Sequence, residues 1–177
     1  MTLEQLRQRM PDYARDTKLN LGRVLTADGV DGIEAHQAAA IALASAYATK
    51  HPDVIRAVRA AANGLVSDAA ASAAKAAATI MAMNNVYYRF VHLVGDQEYA
   101  RLPANLRMNV IGNPGVDKVD FELMSLAVSA INGCGMCMDA HVREVTKGGV
   151  SKQGVQSTIR IAAVLNAAAQ ALTIESA

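Results

Sequence analysis

Long stretches dense in alanine and punctuated at helical spacing constrain this chain more than any other feature. They run from Ile33 to about Lys50, from Ser67 towards Val91, and from Ser151 to about Ile174. Alanine is the residue least costly to hold in a helix, and its small side chain lets neighbouring helices approach closely. No segment shows sustained apolar–polar alternation bounded by hairpin turns, the pattern a half-buried strand requires. The expectation is therefore an all-α, compact helical bundle.

Length and charge narrow the possibilities. With 177 residues, 52% of them hydrophobic and 19% charged, the chain is about one domain long, 1–177, and able to bury a sizeable core. The net charge is +1 without any lysine or arginine run, and there are five Tyr, two Phe and no Trp. Nucleic-acid binding needs clustered positive charge and base-stacking rings, so it is not expected. Met1 to Arg15 carries Glu4, Arg7, Arg9 and Asp12 and has no apolar leader-like stretch. The most apolar segments, Ala69 to Met83 and Ile159 to Ile174, are broken by Lys75 and by Arg160, Asn166 and Gln170. No membrane span is expected, and the reading is a cytoplasmic protein.

The start and stop signals divide the chain further. Thr2 with Gln5 forms a capping-box pattern, after which Leu3, Leu6 and Met10 recur until Pro11. Ala27 to Gly32 is rich in Asp and Gly and precedes the second long segment. Pro52 suits the first turn of a third helix that closes before Gly64, and Ser67 is a good N-cap for the next. Gly95 to Gly115, with Pro103 and the turn Gly112-Asn-Pro-Gly115, is the least regular stretch. That turn is no phosphate loop, because neither Lys-Ser nor Lys-Thr follows at the required spacing. Helical pattern resumes near Asp117, breaks at Asn132-Gly133, reopens at Cys134, closes at Gly148-Gly149 and restarts at Ser151. A weak internal echo lays Glu34–Thr49 on Glu122–Cys137 and Val66-Ser67 on Val150-Ser151, giving two helical halves, about 33–94 and 118–174. In that register Ala46 and Thr49 stand where the second half has its cysteines.

The only two cysteines, Cys134 and Cys137, lie three residues apart, and His141 follows four residues later. A disulfide-stapled scaffold needs more cysteines at wider spacing, whereas one close pair points to redox or metal chemistry. On a helix, positions i, i+3 and i+7 fall within about 60° of one another, so Cys134, Cys137 and His141 share a face. The sulfurs would then lie close enough for a disulfide. A cysteine at a helix start meets unpaired N–H groups that favour the thiolate, the form that attacks peroxides and disulfides. That argument favours Cys134 as nucleophile, while the imidazole at i+4 favours Cys137. Glu122 would lie roughly 18 Å from Cys134 on one continuous helix, too far to act. If the chain doubles back at Asn132-Gly133, Glu122 comes level with His141 and can orient the imidazole. The rival readings are buried structural cysteines and a zinc site, the latter lacking a second Cys/His cluster. His36, His51 and His92 are isolated and read as surface or satisfied interior side chains. Met81, Met83, Met136 and Met138 read as adaptable packing rather than a cofactor pocket.

The pattern Glu122, eleven residues, Cys134-x-x-Cys137, three residues, His141 resembles the alkylhydroperoxidase D (AhpD) family of the carboxymuconolactone-decarboxylase-like superfamily. The flanks Ile80–Arg89, Leu106–Gly115 and Phe121–Cys134 are similar too, so the likeness covers nearly the whole chain. The resemblance implies an all-α fold with a duplicated helical unit, assembled as a homo-oligomer, typically a trimer. It implies reduction of an alkyl hydroperoxide with Cys137 as the peroxidatic residue. Cys134 would be proton donor and disulfide partner, and Glu122 and His141 a proton relay. Electrons would come from a protein-linked lipoyl group (dihydrolipoamide) on an acyltransferase, and the partner would be an AhpC-like peroxiredoxin. No bound cofactor or metal is expected, and no heme or flavin motif is visible. One departure stands out: close relatives carry a second imidazole between the cysteines, where this chain has Met136, and a thioether cannot shuttle protons. Two alternatives follow, a thiol-disulfide adaptor with little peroxidase activity of its own, and a decarboxylase-like, non-redox protein.

Overall fold

A computed structural model describes residues 1–26 and 29–177; Ala27 and Asp28, at the start of the Asp/Gly-rich stretch, lie outside the described residues. Among the described residues there is no strand. The helices are α1 (Leu3–Gln8), α2 (Arg15–Arg23), α3 (Ala35–Thr49), α4 (Pro52–Ala62), α5 (Asp68–Leu93), α6 (Gln97–Arg101), α7 (Asn109–Gly112), α8 (Lys118–Ile131), α9 (Gly135–Lys147) and α10 (Lys152–Glu175). The fold is all-α.

Most boundaries follow side-chain chemistry. Thr2 and Gln5 close the capping box on α1, which stops at Gln8, two residues before the last of its apolar repeats. Pro11 instead precedes a single 3-10 turn, Asp12–Ala14. Ser67, Asp117 and Ser151 cap α5, α8 and α10 through their side-chain oxygens. Pro52 occupies the first turn of α4, and His51, read above as an isolated histidine, caps that helix by accepting from the Asp53 N–H at 3.2 Å through Nδ1. The irregular stretch after α5 contains two short helices, α6 and α7, separated by extended chain through Pro103.

Two helices form the centre. Residues 38–46 of α3 and 121–129 of α8 are buried without interruption, so neither helix has a solvent face over that length. They pack on each other, and α5 and α10 pack against both. The core between them is dominated by small side chains, Ala40, Ala42, Ala44 and Ala46 with Ala127, Ala74 and Ala77, filled out by Ile41, Phe121, Leu126 and Leu165. By length and composition α10 could cross a bilayer, yet half of its most apolar window is buried inside the bundle. Its apolar residues are there to meet α3 and α8.

The order α3, α4, α5 repeats the order α8, α9, α10 in length: 15, 11 and 26 residues against 14, 13 and 24. The caps set the register between them. Glu34 and Asp117 precede α3 and α8, His51 and Cys134 precede α4 and α9, and Ser67 and Ser151 precede α5 and α10.

Two polar ties are informative, one at the surface and one in the interior. Arg9, just beyond α1, bonds Asp53 of α4 at 2.6 Å, and Arg56 bonds the same carboxylate. Inside, Asn85 of α5 donates to Ser129 Oγ at 2.9 Å and accepts from Asn132 Nδ2 at 2.9 Å, while Arg89 donates to the Asn132 carbonyl at 2.6 Å. This network holds α5 to the end of α8. Replacing Asn85 by Ala leaves Ser129 and Asn132 short of partners, and should lower unfolding free energy by about 1–3 kcal/mol in urea titrations.

The Arg9 guanidinium, then Arg56, holds the Asp53 carboxyl below its ordinary value. A carboxyl whose folded pKa is lowered adds stability above its unfolded value, about 3.9, and loses it as pH falls through the folded one. Arg9→Ala should therefore lower the urea midpoint at pH 7 by an amount that shrinks as the pH falls below about 3.9, the unfolded value, and on through the lower folded one.

Candidate active site

The reversal between α8 and α9 places every residue of the site. Asn132 ends α8 and Gly133 follows at φ +69°, a left-handed conformation that favours glycine. Nothing lies within 4 Å of where its Cβ would be, so backbone conformation and not space demands this glycine. The Gly133 N–H bonds the Ala130 carbonyl at 3.1 Å and the Cys134 N–H bonds the Ser129 carbonyl at 3.1 Å, closing the end of α8. Cys134 is at once the third residue past α8 and the N-cap of α9. Cys137 sits in the first turn of α9 and His141 one turn further on.

Cys134 and Cys137 are joined by a disulfide with their Cα atoms 5.3 Å apart. The two sulfurs differ in access: Cys134 is 0% exposed, whereas Cys137 is 7% exposed and lines a cavity. Because α9 folds back along α8, Glu122 and His141 meet although they are nineteen residues apart. His141 Nδ1 lies 2.6 Å from Glu122 Oε2, with both side chains buried. A carboxylate only accepts, so Nδ1 carries the proton in this bond and Nε2 is left as the second functional nitrogen.

The cavity over Cys137 has a volume of about 250 Å³ and is mostly apolar. α5 supplies Met81, Asn84 and Tyr88, α9 supplies Met136, Ala140 and His141, and the stretch around α7 supplies Met108 and Ile111. The irregular Gly95–Gly115 segment thus forms part of the cavity wall. Tyr88 Oη lies 3.9 Å from Met108 Sδ across it. Met81 and Met136, read from sequence as packing, both face this cavity, while Met83 and Met138 do not line it. Glu122 borders a different cleft of about 300 Å³, with Lys118, Glu144 and Lys147. Lys118 Nζ and Glu144 Oε2 pair there at 2.7 Å, which raises the Lys118 ammonium pKa and lowers that of the Glu144 carboxyl. The Glu122–His141 pair therefore runs from a charged cleft to an apolar cavity.

The structure brings together Glu122, His141, Cys137 and Cys134. His36 instead pairs with Asp120 at 3.5 Å, His51 caps α4, and His92 is exposed on the last turn of α5. Sequence reasoning missed Asn84, Asn85 and Tyr88. Their signal was present: Met81, Asn84, Asn85 and Tyr88 fall at i, i+3, i+4 and i+7, a stripe that continues the buried Ala73, Ala74 and Ala77. Two asparagines on such a stripe call for partners.

Residues 97–175, which include α8, α9 and α10, match the carboxymuconolactone decarboxylase family. A protein of Coxiella burnetii named alkyl hydroperoxide reductase AhpD is 55% identical over 174 residues, covering 98% of both chains. Proteins of the same name from Rhodospirillum centenum and Hyphomonas neptunium are each 54% identical over 177 residues, all of this chain and 94% and 97% of theirs. Similarity of that extent along the whole length makes this chain a member of the AhpD family.

Proposed function

We propose that this protein is an alkyl hydroperoxide reductase that works through the Cys134–Cys137 pair. The observation that carries the reading is the single reachable sulfur: Cys137 opens onto an apolar cavity whose wall also holds His141, itself bonded to Glu122. The name shared by relatives more than 50% identical to this chain supports peroxide as the substrate.

In the reduced enzyme the Cys137 thiolate attacks the terminal oxygen of the hydroperoxide and the O–O bond breaks. The departing alkoxide takes a proton delivered through His141 and leaves as the alcohol, and Cys137 becomes a sulfenic acid. The Cys134 thiol then displaces the hydroxyl as water, forming the disulfide. Glu122 holds Nδ1–H, so that proton traffic runs through Nε2 on the cavity side.

Reopening the disulfide needs two electrons and two protons from a dithiol. The acceptor sulfur is Cys137, because Cys134 is sealed off. A cavity of about 250 Å³ excludes a folded protein surface but admits a slender arm, which fits a protein-linked lipoyl group as donor. A peroxiredoxin of the AhpC type, whose own disulfide is reduced in the cytoplasm by the Cys134–Cys137 dithiol, completes the proposed cycle. Exposed apolar side chains on α5 and α6, Val86, Phe90, Leu93, Val94 and Tyr99, support assembly as a homo-oligomer, with a trimer as the proposed state.

Met136 favours a second reading. It lines the cavity without a titratable group, so disulfide exchange would outlast peroxide reduction and the protein would serve mainly as a thiol-disulfide adaptor. Stopped-flow oxidation of the reduced protein separates the two. A peroxidase consumes cumene hydroperoxide in a single turnover and loses both titratable thiols, whereas an adaptor does so only with the partner present.

Cys137→Ser should abolish peroxide consumption. Cys134→Ser should still consume one equivalent, and should then hold a Cys137 sulfenic acid that dimedone traps as an adduct detected by mass. Undiminished turnover in both variants would end the proposal. Glu122→Gln keeps an acceptor for Nδ1 but removes the charge, and should slow peroxide reduction by about 10- to 100-fold, measured as kcat/KM.

A further inference from the structure

The two adjacent asparagines of α5 are both buried and have opposite circumstances. Asn85 is engaged on both sides of its amide, by Ser129 and Asn132. Asn84 is 4% exposed, and its Oδ1 is buried with no hydrogen-bond partner. A buried amide oxygen without a partner is unfavourable, and an alanine or leucine would avoid that penalty. Asn84 lines the same cavity as Cys137 and His141. Of the other polar groups on that wall, His141 is held by Glu122 and the Tyr88 hydroxyl lies against Met108 Sδ.

We propose that Asn84 is the residue that holds the hydroperoxide for attack by Cys137, an inference that rests on the peroxidase reading above. A hydroperoxide has one O–H donor, on its terminal oxygen, and lone pairs on both oxygens. A primary amide is complementary to it: Oδ1 accepts from the terminal O–H while the Nδ2–H group donates to the oxygen that bears the alkyl group. Attack by sulfur on the terminal oxygen sends the electron pair of the O–O bond onto that second oxygen. The Nδ2–H bond strengthens as this charge develops, which is the interaction that lowers a barrier rather than merely tightening binding. Asn84 neither gives nor takes a proton; the proton on the leaving alcohol comes through His141. The apolar remainder of the wall, Met81, Met108, Met136 and Ile111, receives the alkyl portion. The substrate class is therefore a hydroperoxide with a compact apolar substituent, in preference to hydrogen peroxide, which leaves that wall uncovered.

The test uses the full-length reduced protein and Asn84→Leu, which keeps the volume and removes the amide, with Asn84→Ala as a second variant should leucine not fit. Single-turnover oxidation by cumene hydroperoxide is followed by loss of the two titratable thiols, and reduction of the disulfide by free dihydrolipoamide is measured separately. The expected result is a fall of roughly 10-fold or more in the rate of oxidation by peroxide, with a much smaller change in reduction by dihydrolipoamide. The thermal midpoint should be unchanged or higher, because an unpartnered buried amide has been removed. Wild-type protein should be oxidised faster by cumene hydroperoxide than by hydrogen peroxide, and the variants should lose most of their rate with both. Oxidation within two-fold of wild type in a folded variant overturns the proposal. So does an equal loss in both half-reactions together with a lowered midpoint, which marks a structural residue. Wild-type protein that is reduced by dihydrolipoamide yet ignores both peroxides overturns the peroxidase reading itself, and is told apart because it appears before any substitution is made.

Discussion

The close packing of α3 against α8 is the constraint on which the remaining geometry depends. Each helix is buried over nine consecutive residues, 38–46 and 121–129; α3 contributes mostly alanine, whereas α8 contributes Phe121, Leu123, Met124, Leu126 and Val128 around Ala127. Small side chains bring the helix backbones near each other and leave little tolerance for added volume. Each alanine buries little area, so stability must come from many such contacts, and α5 and α10 supply them by packing on both central helices. α9 has its largest interface with α8. It is carried on α8 by the hydrogen-bonded turn at Gly133 and held against α5.

That arrangement lets a carboxylate and an imidazole sit in the interior. Neither Glu122 nor His141 would be well placed alone, since a buried charged group without a partner is strongly unfavourable. Together they make one short hydrogen bond between two helices whose spacing is already set. The pair has charged groups on one side, where Lys118, Glu144 and Lys147 border the cleft, and an apolar cavity on the other. Proton exchange with solvent and entry of an apolar substrate can thus use different openings. The methionines of the cavity wall add polarizable, adaptable surface without adding a second acid or base. Among the residues that wall the cavity with Cys137, His141 is consequently the one imidazole, and no carboxylate lies there.

The asparagines of α5 show how a fold separates residues that look equivalent. Asn84 and Asn85 are neighbours on one buried stripe, yet a rotation of about 100° between successive helical positions turns one towards the Ser129–Asn132 network and the other to the cavity. Arg89, one turn after Asn85, reaches the Asn132 carbonyl and completes the clamp on the turn that presents Cys134. Held in this way, the start of α9 is supported from α5 as well as from α8.

Much was legible in the residues themselves. Helical spacing, caps at Thr2, Ser67, Asp117 and Ser151, and breaks at Asn132-Gly133 and Gly148-Gly149 are local chemistry, so the all-α class and most boundaries could be read from the sequence. The proximity of Cys134, Cys137 and His141 is likewise local, a consequence of 3.6 residues per turn. The partners of those residues are not. Which sulfur is reachable, that Asn84 lacks a partner while Asn85 has two, and that the irregular stretch near Met108 walls the cavity all depend on contacts between distant segments. Spacing along a helix determines direction within one element; burial and access arise only when several elements close around the same point.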